Sequence, residues 1–162
     1  MTSPSDGAHF RRVLGHFPTG VTVVTAAPGG VPTGLAVGSF TSVSLDPPLV
    51  AFCPGKSSTS WPAIERAGAF CVNVLGDDQE EISRVFAGKG DEKFAGVAWH
   101  PTAQTASPVL DDAIAWIDCT IDQIIEAGDH WIVIGAVRAL DAVDRGRGPL
   151  VFFRGGYGRF TL

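Results

Sequence analysis

The stretch "IAWIDCTIDQIIEAGDHWIVIGAVRAL", residues 114–140, decides the fold. From 114 to 121, Ala115, Ile117, Cys119 and Ile121 alternate with Trp116, Asp118 and Thr120, the two-residue period of a strand with one face on a core. "EAGD" (126–129) supplies turn residues and "HWIVIGAVRAL" (130–140) runs back, so the segment reads as a β-hairpin. Strand signals continue outward on both sides of it. "VTVVTAA" (21–27), "LVAFC" (49–53), "FCVNVL" (70–75) and "PLVFF" (149–153) are rich in β-branched and aromatic residues. "VPTGLAVGSFTSVSL" (31–45) reads as a strand interrupted at Gly34 and Gly38, where a bulge or a close approach to the backbone is expected.

Helices are few and short. Phe10, Val13, Leu14 and Phe17 have helical spacing. Residues 61–67 read as a helix with Ser60 as N-cap and Pro62 in the first turn, and 77–87 as one that opens on acidic residues. Residues 88–110 and the closing "RGGYGRF" read as loops. About seven strands with short flanking helices predict a mainly β, barrel-like domain spanning residues 1–162, with 1–9 expected to be flexible.

Composition narrows the function. The 162 residues are 45% hydrophobic and 18% charged, which fits one compact domain. A formal charge of -5 excludes the basic face that nucleic acid or anionic lipid would require. No apolar run is long enough to cross a bilayer, and "MTSPSDGAH" lacks signal-peptide character, so a cytoplasmic location is expected. The three cysteines, Cys53, Cys71 and Cys119, have no CxxC spacing and are expected to be reduced, buried thiols. The four histidines lack metal-ligand spacing, so no metal is predicted. Neither a G-x-S-x-G elbow nor a strand-linked G-x-G-x-x-G is present.

"FCPGKSSTSWP" (52–62) carries the end of a P-loop, Gly55-Lys56-Ser57, but Val50 stands where its first glycine belongs. Lys56 with the hydroxyls of Ser57, Ser58, Thr59 and Ser60 could hold a phosphate at a helix start. The same hydroxyls could simply cap the helix and face water, and the residues alone leave both readings open.

Together, "FPTGVTVVTA", "PTGLAVGSFTSVSLDPPLVAFCPGKSSTSW", "FCVNVL", "GDHWIVIGAV" and "PLVFFRGGYG" resemble the flavin reductase domain of two-component flavin-dependent monooxygenases, from about Phe10 to Gly158. The resemblance implies a split β-barrel of Greek-key type, usually a homodimer, that reduces FMN or FAD with NADH (NADPH being possible). It implies transfer of the reduced flavin to a separate monooxygenase. It places Lys56, Ser57, Ser58, Thr59 and Ser60 at the flavin phosphate, and Thr33, Gly34, Leu35 and Ala36 along the ring. Gly38 and Ser39 would meet the ring's polar edge, with the glycines leaving room for it. Cys53 and Pro54 would pack nearby, and Arg84, Phe86 and Ala87 would close the side. His130 would contact the nicotinamide as the catalytic residue, under a loop of Arg154, Gly155, Gly156 and Tyr157. The family pattern often has asparagine and serine near 37–39. Here Val37-Gly38-Ser39 has one polar side chain fewer, which leaves FMN and FAD both open. Two rivals share this chemistry: an oxidase of the pyridoxamine-phosphate-oxidase type and a non-catalytic flavin-binding module.

Overall fold

The computed structural model describes residues 3–143 and 146–161; Met1, Thr2 and Leu162, part of the span expected to form the domain, lie outside it. Its centre is a seven-stranded sheet in which every pairing is antiparallel. The strands are β2 (Thr22–Ala26), β3 (Thr33–Val37), β4 (Thr41–Leu45), β5 (Pro48–Phe52), β6 (Ala69–Val74), β9 (Ala115–Ala127) and β10 (His130–Ala142). Their order is β3-β2-β6-β9-β10-β5-β4.

That order places β3 and β4, neighbours in sequence, on opposite outer edges of one sheet. Only Gly38, Ser39 and Phe40 join them, so the sheet curls until its edges approach without a hydrogen-bonded ladder between them. This is the split of the barrel. The segment 31–45, which reads as one interrupted strand, is therefore two strands with different partners.

The hairpin is longer than its alternating stretch indicates. Both arms run for 13 residues, and Gly128 turns the chain at φ 63°, a conformation that favours glycine. β2 is buried along its whole length because both of its faces are covered. Val24 and Ala26 face the barrel interior with Phe52, Phe70, Trp61 and Val133. Val23 and Val21 face Phe86, Leu75 and Leu150 on the other side. Continuous apolar character at 21–27 follows from that double burial.

Three α-helices are found among the described residues, and the second and third pack on the sheet. α1 (Gly7–Leu14) is capped by the Asp6 carboxylate, which accepts from the Ala8 and His9 amides. It thus begins inside the segment expected to be flexible. α2 (Trp61–Ala67) ends at Gly68 in the left-handed conformation. α3 (Glu80–Ala87) starts three residues later than the acidic run predicts: the Asp77 amide donates to the Gly148 carbonyl, and the Asp78 carboxylate accepts from Arg147.

Two segments read as loops contain strands. β7 (Trp99–Pro101) and β8 (Pro108–Leu110) form a short hairpin, tied to the barrel by Asn73, which accepts from the Leu110 amide and donates to the Pro108 carbonyl. β12 (Gly156–Arg159) folds back on β11 (Leu150–Phe153), which also pairs with β1 (Thr19–Gly20). No helix among the described residues is long and apolar enough to cross a membrane.

Candidate active site

A groove runs along the free edge of β3. Its middle is a cleft of about 200 Å³ between Leu35 and Ala36 on β3, Phe86 and Ala87 on α3, and the loop Ser57, Ser58 and Thr59. Ala36 and Ala87 also wall a second recess of about 190 Å³, with Gly38, Ser83 and Tyr157. Gly38 continues into a third space of about 460 Å³ beside Ser39, Phe40 and Thr19. At the other end, Thr33, Gly34, Thr59 and Ser60 line a small pocket of about 70 Å³.

The backbone of β3 is suited to reading a flat ligand. β3 pairs only with β2, and the Gly34 carbonyl turns outward to accept from Lys93 Nζ at 3.2 Å. Residues of an antiparallel pair alternate in which neighbour they bond. Ala36, two positions on, therefore also directs its N–H and C=O to the free edge. The loop opposite is equally open. Among the described residues no partner is found for the Ser57 and Thr59 hydroxyls or for a backbone bond from their amides. Unpaired hydroxyls and amides converging on one cleft form a donor set for phosphate oxygens, so the residues present fit a flavin phosphate.

Several predicted residues have other tasks. Ser60 is the N-cap by position, yet its hydroxyl accepts from Lys93, and Ser58 Oγ accepts from the Trp61 amide in its place. Ser39 Oγ accepts from the Cys53 amide at 2.9 Å and so links the split to the end of β5. Cys53 and Pro54 lie behind the loop, where the Pro54 carbonyl accepts from the Trp131 amide. Gly34 leaves room for a protein side chain: a Cβ there would lie 2.9 Å from Phe86 Cε1.

Lys56 does not line the cleft. Its ammonium pairs with Glu126 and lies 4.9 Å from the Trp131 ring centroid, bracing the loop against the hairpin. That pairing holds the Glu126 carboxyl below the usual range. Arg84 points along the outside of α3 to Glu80 and covers the outer face of Tyr157 at 4.9 Å. The turn holding Arg154 and Gly155 packs on α1, where the Arg154 amide donates to the Gly15 carbonyl. Of that tip only Tyr157 enters the groove, its hydroxyl 2.8 Å from Ser83 Oγ.

His130 faces the loop across an isolated bridge to Gly55. Its Nδ1 lies 2.7 Å from Asp129 Oδ1, a contact that holds the Asp129 carboxyl below the usual range. Nε2 remains available, 3.6 Å from where a Gly55 Cβ would stand.

Lys93 escapes sequence reasoning. It sits in a segment that reads as loop and is only 7% exposed. Its Nζ donates to the Gly34 carbonyl, Ser60 Oγ and the Phe86 carbonyl at 3.1–3.2 Å. Burial pushes the ammonium below the usual lysine range, against a smaller opposing pull from Asp91. No local pattern marks it, because its three acceptors come from three separate elements.

Residues 14–161 match the family described as flavin reductase like domain. The chain belongs to that family. It is 55% identical over 162 residues to a flavin reductase of Pseudomonas putida, covering 99% of this chain and 94% of the relative. It is 47% identical over 158 residues to the reductase subunit HsaB of a flavin-dependent monooxygenase from Mycobacterium tuberculosis, covering 97% and 84% of the two chains. The fold superposes with a TM-score of 0.93 on the NADH:FAD oxidoreductase SgcE6 of Streptomyces globisporus, solved with NAD and FAD fragments, at 37% identity and 99% and 96% coverage. Membership accounts for the mainly β fold.

Proposed function

We propose that this chain transfers a hydride from NADH to FMN or FAD seated along β3, and that the reduced flavin then leaves for a separate monooxygenase. The observation that carries this reading is the open donor set facing the free edge of β3: the Ser57 and Thr59 hydroxyls and amides on one wall, the Ala36 backbone on the other. The dinucleotide supplies the hydride and the flavin ring accepts it.

The protein's share is placement. Phosphate held at 57–59 fixes one end of the flavin, and the Ala36 and Gly38 backbone at the groove floor orients its polar edge. Backbone N–H groups aimed at that edge favour the charge that reduction places there. Tyr157, locked by Ser83 beneath it and Arg84 over its face, walls the ring end of the groove. His130, steadied by Asp129, positions the nicotinamide.

Membership in a family of reductase components supports delivery to a monooxygenase. NADH rather than NADPH is favoured because Lys89 and Lys93 are the cations that line the clefts, both at the phosphate end. The exposed apolar residues of α1 and of the segment after it, Phe10, Val13, Leu14 and Phe17, support a homodimer.

The deciding experiment is NADH consumption by the purified protein in air, with and without added FMN or FAD. Oxidation that requires added flavin is expected. Flavin binding without NADH oxidation would overturn the reductase reading.

A further inference from the structure

The fragment Gly55-Lys56-Ser57 resembles the end of a P-loop, yet its lysine is committed to Glu126 and Trp131. A cleft with donors for phosphate still calls for a positive charge, and the fold brings one from elsewhere. Lys93 lines both the central cleft and the small pocket beside it. We propose that Lys93, not Lys56, is the residue whose charge selects phosphorylated flavin over flavin lacking phosphate. This rests on the reading that the cleft holds a flavin phosphate.

The geometry assigns a fixed-charge role. An ammonium has three donors, and all three are used on Gly34, Ser60 and Phe86. Lys93 is therefore immobile, and it contributes chiefly through its field. None of its three hydrogen-bonding partners is a carboxylate, so that field is not cancelled by a contact ion pair. The low-polarity surroundings that disfavour a lone cation also strengthen its attraction for an anion placed close by. Among the other residues lining the two clefts, Lys89 and Asp91 are the titratable ones, and both sit on its own segment. β3, α3 and residues 57–60 present no charged side chain to either cleft.

The same lysine ties three walls together, so a purely structural role must be separated from a recognition role. Riboflavin has the ring without the phosphate and serves as that control. Dissociation constants for FMN and riboflavin are measured by flavin fluorescence on the purified protein, without NADH. Wild type is expected to prefer FMN clearly. Lys93→Met is expected to reduce the FMN preference roughly tenfold or more while riboflavin binding changes little. Lys93→Arg, which keeps the charge, is expected to restore part of the preference.

Equal weakening of both ligands by Lys93→Met would overturn the proposal and leave the lysine structural. Collapse of the preference in Lys56→Met would overturn it in favour of Lys56. A wild type that binds FMN no better than riboflavin would instead defeat the phosphate reading of the cleft. Should Lys93→Met not fold, the wild-type ratio of the two constants is followed against rising pH, where titration of the flavin ring cancels. A one-proton fall in FMN preference below the ordinary lysine range is expected, and a flat ratio would overturn the proposal.

Discussion

Gly34 on β3 and Phe86 on α3 touch so closely that neither can grow alone. A Cβ on Gly34 would lie 2.9 Å from Phe86 Cε1 and 3.1 Å from the Val24 carbonyl oxygen, and the second neighbour is backbone that cannot swing aside. Gly34→Ala is therefore expected to destabilise the fold by about 1–3 kcal/mol, the usual effect of overpacking. The measurement is the urea midpoint. A midpoint equal to wild type would mean that α3 yields freely and that Gly34 serves the ligand instead.

His130 presents Nε2 beside Gly55, one of the residues lining the central cleft, and holds Nδ1 on Asp129. Losing one hydrogen bond of about 1 kcal/mol changes an affinity roughly fivefold. His130→Ala is expected to raise the KM for NADH by about that factor, with a smaller change for flavin. Steady-state kinetics with each substrate varied in turn separates the two. A larger shift in the flavin KM would move the imidazole from the nicotinamide to the phosphate loop.

Arg147 Nη1 hydrogen-bonds both carboxylate oxygens of Asp78, and this holds the carboxyl below its ordinary range. A depressed carboxylate stabilises the fold above the ordinary carboxylate pKa and loses that contribution as pH falls through the lowered value. Asp78 is 52% exposed, so the pair contributes about 1 kcal/mol or less at neutral pH. Asp78→Asn should be less stable than wild type by that amount at neutral pH and indistinguishable from it in strong acid. Chemical denaturation at both extremes tests this, and a gap that persists in acid would refute an ionic origin.

Burial, with Asp118 nearby, pushes the Cys119 thiol up to about 12 and the Cys71 thiol further. Cys53 is partly accessible. A thiolate-selective disulfide reagent at neutral pH should titrate no more than one thiol in the native protein and three after unfolding. Two fast native thiols would show that the barrel opens readily.

The sequence announces the strands clearly. "VTVVTAA" is continuous because β2 is covered on both faces, and 114–121 alternates in residue type although its burial does not, since Asp118 is as buried as Cys119 and accepts from the Thr105 hydroxyl. The sequence does not announce their partners. Nothing local in 31–45 reveals that Thr33–Val37 pairs with β2 while Thr41–Leu45 pairs with β5. At the site, the wall residues Leu35, Ala36, Ser57, Ser58, Thr59, Phe86 and Ala87 do converge on one cleft. The lysines exchange places for a reason no pattern holds. Lys56 finds its carboxylate 70 residues away on the hairpin, whereas Lys93 finds three oxygens on three elements.

The seam at Gly38–Phe40 also gathers distant parts of the molecule around one space. Its two flanking strands are chain neighbours, yet six pairings separate them across the sheet. The space beside Gly38, Ser39 and Phe40 is walled by Thr41 of β4, Thr22 of β2 and Val74 of β6, and by Thr19 of β1 in the separate three-stranded sheet. A ligand seated at the seam would therefore touch both sheets at once, and by binding only the assembled chain it would stabilise their junction.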